Sequence, residues 1–90
     1  MIKDLRENER ISINLLVSQA TKGVTTNGGA YLNITFQDAT GTIDGRKWEV
    51  LEKDYEVFVA GNIVNVKADV IEYRNTLQLK VLGGDIVNSL

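Results

Sequence analysis

Tyr31, Arg46 and Trp48 are residue types that could act together on a ligand. Aromatic rings offer flat faces on which unpaired bases stack, and a guanidinium attracts the phosphates between them. Asn33 and Gln37 are amides able to touch base edges, and Lys22, Tyr73 and Arg74 could extend the same surface. Few other chemistries are open. The chain holds no Cys and no His, which excludes disulfides, Cys/His zinc sites, Cys and His nucleophiles and any Ser-His-Asp relay. Asp38 and Asp44 could approach a metal, but Asp38 fits the first position of a turn, and two acids without a third ligand make no site. No catalytic residue, metal ligand or cofactor is expected.

Those side chains need elements to hold them, and alternation supplies them. Ile11 to Ser18 begins with strict apolar–polar alternation, a half-buried strand. Thr21 to Ala30 carries three glycines and an Asn-Gly pair, so it reads as a loop, with Lys22 to Gly29 its most mobile part. Tyr31 to Gln37 alternates again: Leu32, Ile34 and Phe36 face one way, and Tyr31, Asn33, Thr35 and Gln37 the other. Asp38-Ala39-Thr40-Gly41 suits a type I turn. Thr42 to Trp48 then returns as a hairpin strand, with Asp44, Arg46 and Trp48 outward and Ile43, Gly45 and Lys47 inward. Lys47 stands where an apolar residue is expected; either the strand has left the core there or the long stem reaches the rim.

From Glu49 to Val59 the period of two is lost, and Val50, Leu51, Tyr55 and Phe58 fall near helical spacing ahead of Gly61. Glu49, Glu52, Asp54 and Glu56 make this short helix acidic, a solvated face that repels nucleic acid. Ile63 to Tyr73 is a long strand, Arg74-Asn75 a turn, and Thr76 to Val81 the last strand. Ninety residues in which five strands each have one apolar face close most economically into a small barrel without exposed edges. An all-β, five-stranded Greek-key barrel with a short helix between strands three and four is the OB-fold; an SH3-like barrel usually lacks that helix. The expected core is Ile13, Leu15, Leu32, Ile34, Phe36, Ile43, Val64, Val66, Val70, Leu77, Leu79 and Val81. Residues 1–90 read as one domain.

Particular residues carry a family likeness: Ile2-Lys3-Asp4-Leu5, Gly29-Ala30-Tyr31-Leu32, Gln37 to Asp44 across the first hairpin, Trp48, and Glu72 to Val81 across the last. With these the chain resembles the N-terminal OB domain of YhaM-type 3′-to-5′ exoribonucleases, and more loosely the OB folds of replication protein A and of tRNA anticodon-binding domains. The resemblance implies a substrate-holding module for single-stranded RNA or DNA, partnered by a metal-dependent HD domain that performs hydrolysis. A chain without histidine cannot itself hold an HD metal site.

OB folds bind along the outer face of strands two and three, between the loops joining strands one to two and four to five. That surface would carry Tyr31, Asn33, Thr35, Gln37, Asp44, Arg46 and Trp48, with Lys22 and Thr25 in one loop and Tyr73 and Arg74 in the other. Blander roles compete. Trp48 could pack over the helix, Tyr31 could be an ordinary strand aromatic, Tyr73 could be loop packing, and Arg46 could pair with Asp44 or Glu49 for little gain. The rival function is a protein-interaction or oligomerisation OB domain without nucleic acid. Net charge of −2 argues against a dedicated duplex-DNA binder. The N-terminus has no signal-peptide pattern and no apolar run approaches membrane-spanning length, so a cytoplasmic protein is expected.

Overall fold

The computed structural model describes residues 1–87; positions 88–90 of the expected domain lie outside the described residues. A 3-10 turn (Ile2–Asp4) is followed by β1 (Arg10–Val24), β2 (Ala30–Asp38), β3 (Gly41–Trp48), α1 (Asp54–Val57), β4 (Ile63–Tyr73) and β5 (Thr76–Ile86). The strands close into a barrel in the order β1-β2-β3-β5-β4. β5 runs parallel to β3 and antiparallel to β4, the five-stranded Greek-key OB arrangement. The helical segment between β3 and β4 is present but only four residues long.

The inward register is the one the alternation requires. Ile34 and Val66 are fully buried, with Leu15, Phe36, Val64, Val70 and Leu79 around them. Ile13 and Leu77 are only half-buried at the edge of this cluster, whereas Ile11, Val17, Ala68, Val57 and Phe58 also enter it. Phe58 closes one end of the barrel, meeting Phe36 edge-on at 6.2 Å between ring centres. Gly45 stands inward beside that ring because a Cβ there would come within 2.7 Å of Phe36.

Four expectations change. The region read as a loop from Thr21 to Ala30 is half ladder: Thr21 to Val24 pair with Asn33 to Ala30, leaving a turn closed by Thr25 N–H to the Gly29 carbonyl at 2.8 Å. A bulge between Val17 and Gln19 inserts one residue and inverts the alternation. Gln19 and Thr21 therefore face outward, and Lys22 falls on the inward side. β5 continues past Val81 to Ile86, with a second bulge in its ladder opposite Lys67 and Ala68. The helix buries Val57 and Phe58 and leaves Leu51 and Tyr55 exposed, so the apolar spacing from Val50 to Phe58 misplaced its inner face.

The fourth concerns Lys47. Its side chain neither leaves the barrel nor reaches solvent; the residue is 7% exposed. Its ammonium lies 3.3 Å from the carboxylate of Asp54 and donates to the Trp48 carbonyl at 3.2 Å. Asp54, assigned to a solvated acidic face, is 1% exposed and also accepts the Leu51 N–H at 2.8 Å. A buried amine tolerates its position only when paired and hydrogen-bonded, and α1 supplies the partner. The ion pair ties the end of β3 to the helix just where Glu49 turns the chain with φ 54°.

Candidate nucleic-acid interface

Register across β1, β2, β3 and β5 builds the outer face in rows. Tyr31 stands opposite Trp48 and Gly23; Asn33 stands opposite Arg46 and Thr21; Thr35 stands opposite Asp44 and Gln19. The parallel β3–β5 ladder extends the second row to Lys80 and the third to Gln78. Directly opposed residues share a face and touch.

The first row is aromatic. The Tyr31 and Trp48 rings lie 5.0 Å apart, tilted by 45°, and Trp48 remains 42% exposed. Gly23 gives the Tyr31 ring its bed, since a Cβ at that position would overlap the phenol. The Arg46 guanidinium sits over both rings, 5.4 Å from Tyr31 and 5.5 Å from Trp48. Its Nε donates to the Asn33 amide oxygen at 2.8 Å. Among the described residues Arg46 has no carboxylate partner within ion-pair distance, so the competing role as a surface ion pair with Asp44 or Glu49 is not realised. A guanidinium held by cation–π contact and one amide keeps its charge available to a ligand.

Beneath this row lies a groove of about 230 Å³, walled by Asn33, Thr35, Asp44, Arg46 and Gln78. Beside it a second groove of about 330 Å³ runs between Trp48 and the β4–β5 hairpin. Tyr73, 54% exposed, walls that second groove opposite Trp48. Arg74 and Asn75 form the hairpin tip with φ of 52° and 65°, the paired left-handed geometry of a type I′ turn, and the Arg74 guanidinium lies 5.2 Å from the Tyr73 ring centre.

Of the residues singled out in the sequence, Tyr31, Trp48 and Asn33 are thus each in contact with Arg46, and the two rings with each other, with Tyr73 across the groove and Arg74 against Tyr73. Gln37 is exposed at the far end of β2, opposite Thr42. Lys22 is not on this surface. The β1 bulge turns it to the other side, where its ammonium lies 4.6 Å from the Tyr55 ring centre. The alternation of Leu77-Gln78-Leu79-Lys80 marks Gln78 and Lys80 as outward, but only the non-local β3–β5 pairing sets them beside Asp44 and Arg46.

Asp38 belongs to structure. Its carboxylate accepts from the Thr40 hydroxyl at 2.6 Å and the Thr40 N–H at 2.7 Å, and from the Ile2 N–H at 2.8 Å. These bonds, the Thr40 hydroxyl foremost, hold its pKa at about 2. On the opposite side of the barrel the Arg10 guanidinium, bonded to Asp69 at 2.7 Å, lowers that carboxyl's pKa. Among the described residues no group of acids, Cys or His is placed to hold a metal ion.

Comparison with known proteins agrees with this fold. The family of OB-fold nucleic acid binding domains matches residues 8–86. The chain belongs to this family. It is 38% identical over 73 residues to the 3′-5′ exoribonuclease YhaM of Geobacillus sp. (strain WCH70), a match covering 81% of this chain and 22% of that protein. The solution structure of the second OB-fold domain of replication protein A from Methanococcus maripaludis superposes with a TM-score of 0.77 at 26% identity, covering 100% of this chain and 95% of that one. A crystal structure of a domain of replication protein A from the same organism gives a TM-score of 0.80 at 30% identity, covering 96% of this chain and 91% of that one. The OB domain therefore spans roughly a fifth of the YhaM relative's length and nearly the whole of each replication protein A domain. Among the described residues no helix is long and apolar enough to cross a membrane.

Proposed function

We propose that this OB domain holds single-stranded nucleic acid, RNA in preference to DNA, across the outer face of β2 and β3. In this reading it presents substrate to a 3′-to-5′ exoribonuclease domain that these residues do not supply, in the cytoplasm. The observation that carries the reading is the exposed Tyr31–Trp48 pair with the Arg46 guanidinium over both rings. Stacked rings take any base, and an uncommitted guanidinium takes a phosphate, so the chemistry is that of a single-strand platform. The exoribonuclease relative supports RNA as the substrate class. Tyr73 and Lys80 border the same surface and lengthen the track.

The test is fluorescence anisotropy of labelled RNA and DNA tetranucleotides, with the wild type and Trp48→Ala at several salt concentrations. The expected result is salt-sensitive binding, with log K falling against log salt at about −0.7 for each phosphate contacted. Trp48→Ala should cost about 1–3 kcal/mol. A folded Trp48→Ala protein that binds as well as the wild type would move the site elsewhere. The alternative, a protein-interaction or oligomerisation module, draws on outward Leu82 and Ile86, both more than two-fifths exposed on β5. It forecasts no binding to either tetranucleotide at low salt, and association of the chain that Leu82→Ser abolishes.

A further inference from the structure

The outer face contains one group that a phosphate track would not need. Asp44 lies in the middle of the third row, between Thr35 and Gln78, and is exposed. Its Oδ1 accepts the Thr35 hydroxyl at 3.2 Å, and no described residue bonds its Oδ2. Arg46, two residues along β3, does not neutralise it, because the guanidinium is drawn over Tyr31 and Trp48 and its Nε is bound to Asn33. One groove is therefore walled by a carboxylate with one oxygen unbonded and by a guanidinium without a carboxylate partner among the described residues. A carboxylate repels phosphate, so a strand crossing here must turn base edges toward Asp44.

The donor pattern of the bases then decides which edge fits. An ionised carboxylate only accepts hydrogen bonds, and its two oxygens suit two adjacent donors. Guanine alone carries such a pair, N1–H beside the N2 amino group, and its O6 and N7 are acceptors that an arginine can take bidentately. Uracil sets one N–H between two carbonyls that the carboxylate would repel. Cytosine and adenine each offer a single amino group next to a ring-nitrogen acceptor. We propose that Asp44, held by Thr35 and facing the same groove as Arg46, forms a guanine-selecting subsite next to the Tyr31–Trp48 platform. Asp44 is in this account the specificity residue, and Arg46 supplies the charge that draws the strand to the groove. The proposal rests on the single-strand reading above.

The experiment is a titration of the chain with four RNA tetranucleotides, each uracil at three positions and guanine at a different one, beside all-uracil RNA as reference. A single guanine per strand avoids association between strands. With the wild type, at least one guanine-containing strand should bind about tenfold more tightly than all-uracil RNA, as expected of one bidentate base contact. Inosine at that position, which lacks the amino group, should lose most of the advantage. Asp44→Asn, with one acceptor and one donor in place of two acceptors, should bring guanine and uracil strands within about twofold, while all-uracil binding rises slightly from loss of the negative charge.

Wild-type affinities within twofold for every strand would overturn the subsite and leave the platform standing. A guanine advantage that survives either inosine or Asp44→Asn would overturn the assignment to Asp44. No binding of any strand would overturn the single-strand reading itself. The inosine comparison uses the unaltered protein, so a guanine advantage that inosine keeps overturns the two-donor subsite even if Asp44→Asn folds poorly.

Discussion

Removing one partner of the buried Lys47–Asp54 pair should be among the most damaging single substitutions available to this barrel. The charges are 3.3 Å apart, an attraction of about 5 kcal/mol at an effective dielectric of about 20. Withdrawing each ion from water costs several kcal/mol, so the intact pair contributes little net stability. Asp54→Ala leaves the ammonium buried with only carbonyl acceptors and strips the Leu51 N–H of its partner. The expected loss is about 3–5 kcal/mol, a fall in melting temperature of at least about 12 °C in a domain of this size. Lys47→Met should lose a comparable amount by orphaning the carboxylate, whose Oδ1 already has no hydrogen-bond partner. Lys47→Met combined with Asp54→Leu removes both charges and should recover most of the stability. Urea unfolding followed by circular dichroism measures all three. Single variants within about 0.5 kcal/mol of the wild type, or a double variant as unstable as the sum of the singles, would refute the buried-pair argument.

Gly23→Ala should leave the fold nearly as stable as the wild type, because the added methyl meets only the outer end of the Tyr31 ring. It should nevertheless weaken single-strand binding about as much as Tyr31→Ala does, by unseating that ring; anisotropy titrations of both variants check this. Lys22→Ala should change affinity little, since Lys22 lies against Tyr55 on the other side. Arg46→Ala should weaken all sequences and flatten the salt slope by somewhat under one unit; equal salt slopes for the two variants would contradict the placement. Asp38, with its folded pKa lowered to about 2, stabilises the native state above its ordinary pKa near 3.8. That contribution should disappear as pH falls from about 4 to about 2. Melting curves across this range should decline less steeply for Asp38→Asn than for the wild type.

The barrel was legible because long stretches of each strand's inner face alternate. Ile34, Phe36, Val64, Val66 and Leu79 lie where a period of two puts them. The aromatic row was legible for the same reason, Tyr31 and Trp48 both sitting on outward phases of neighbouring strands. A bulge has no such signature. One extra residue after Val17 reverses every later side chain of β1, which hid Thr21 and Gln19 and misassigned Lys22. The glycines from Gly23 to Gly29 read as a loop, although Gly23 is a strand residue whose bare Cα seats the Tyr31 ring. Lys47 and Asp54 looked like an intruder and a surface acid because their pairing crosses from strand to helix. Lys80 joined the site through a parallel ladder between β3 and β5 that no local pattern announces.

Intrinsic fluorescence of Trp48, the only tryptophan in the chain, tests the central claim most directly. The ring is exposed, lies against Tyr31 and stands at the proposed binding row. Titration at low salt with unlabelled RNA tetranucleotides should quench it saturably, and added salt should reverse the quench. Removing most of the response should require only Arg46→Ala or Tyr31→Ala, with the fold intact by circular dichroism. Tetranucleotides that bind by anisotropy while leaving Trp48 emission unchanged would contradict a site on this face, and tetranucleotides that bind by neither measure would contradict the account as a whole.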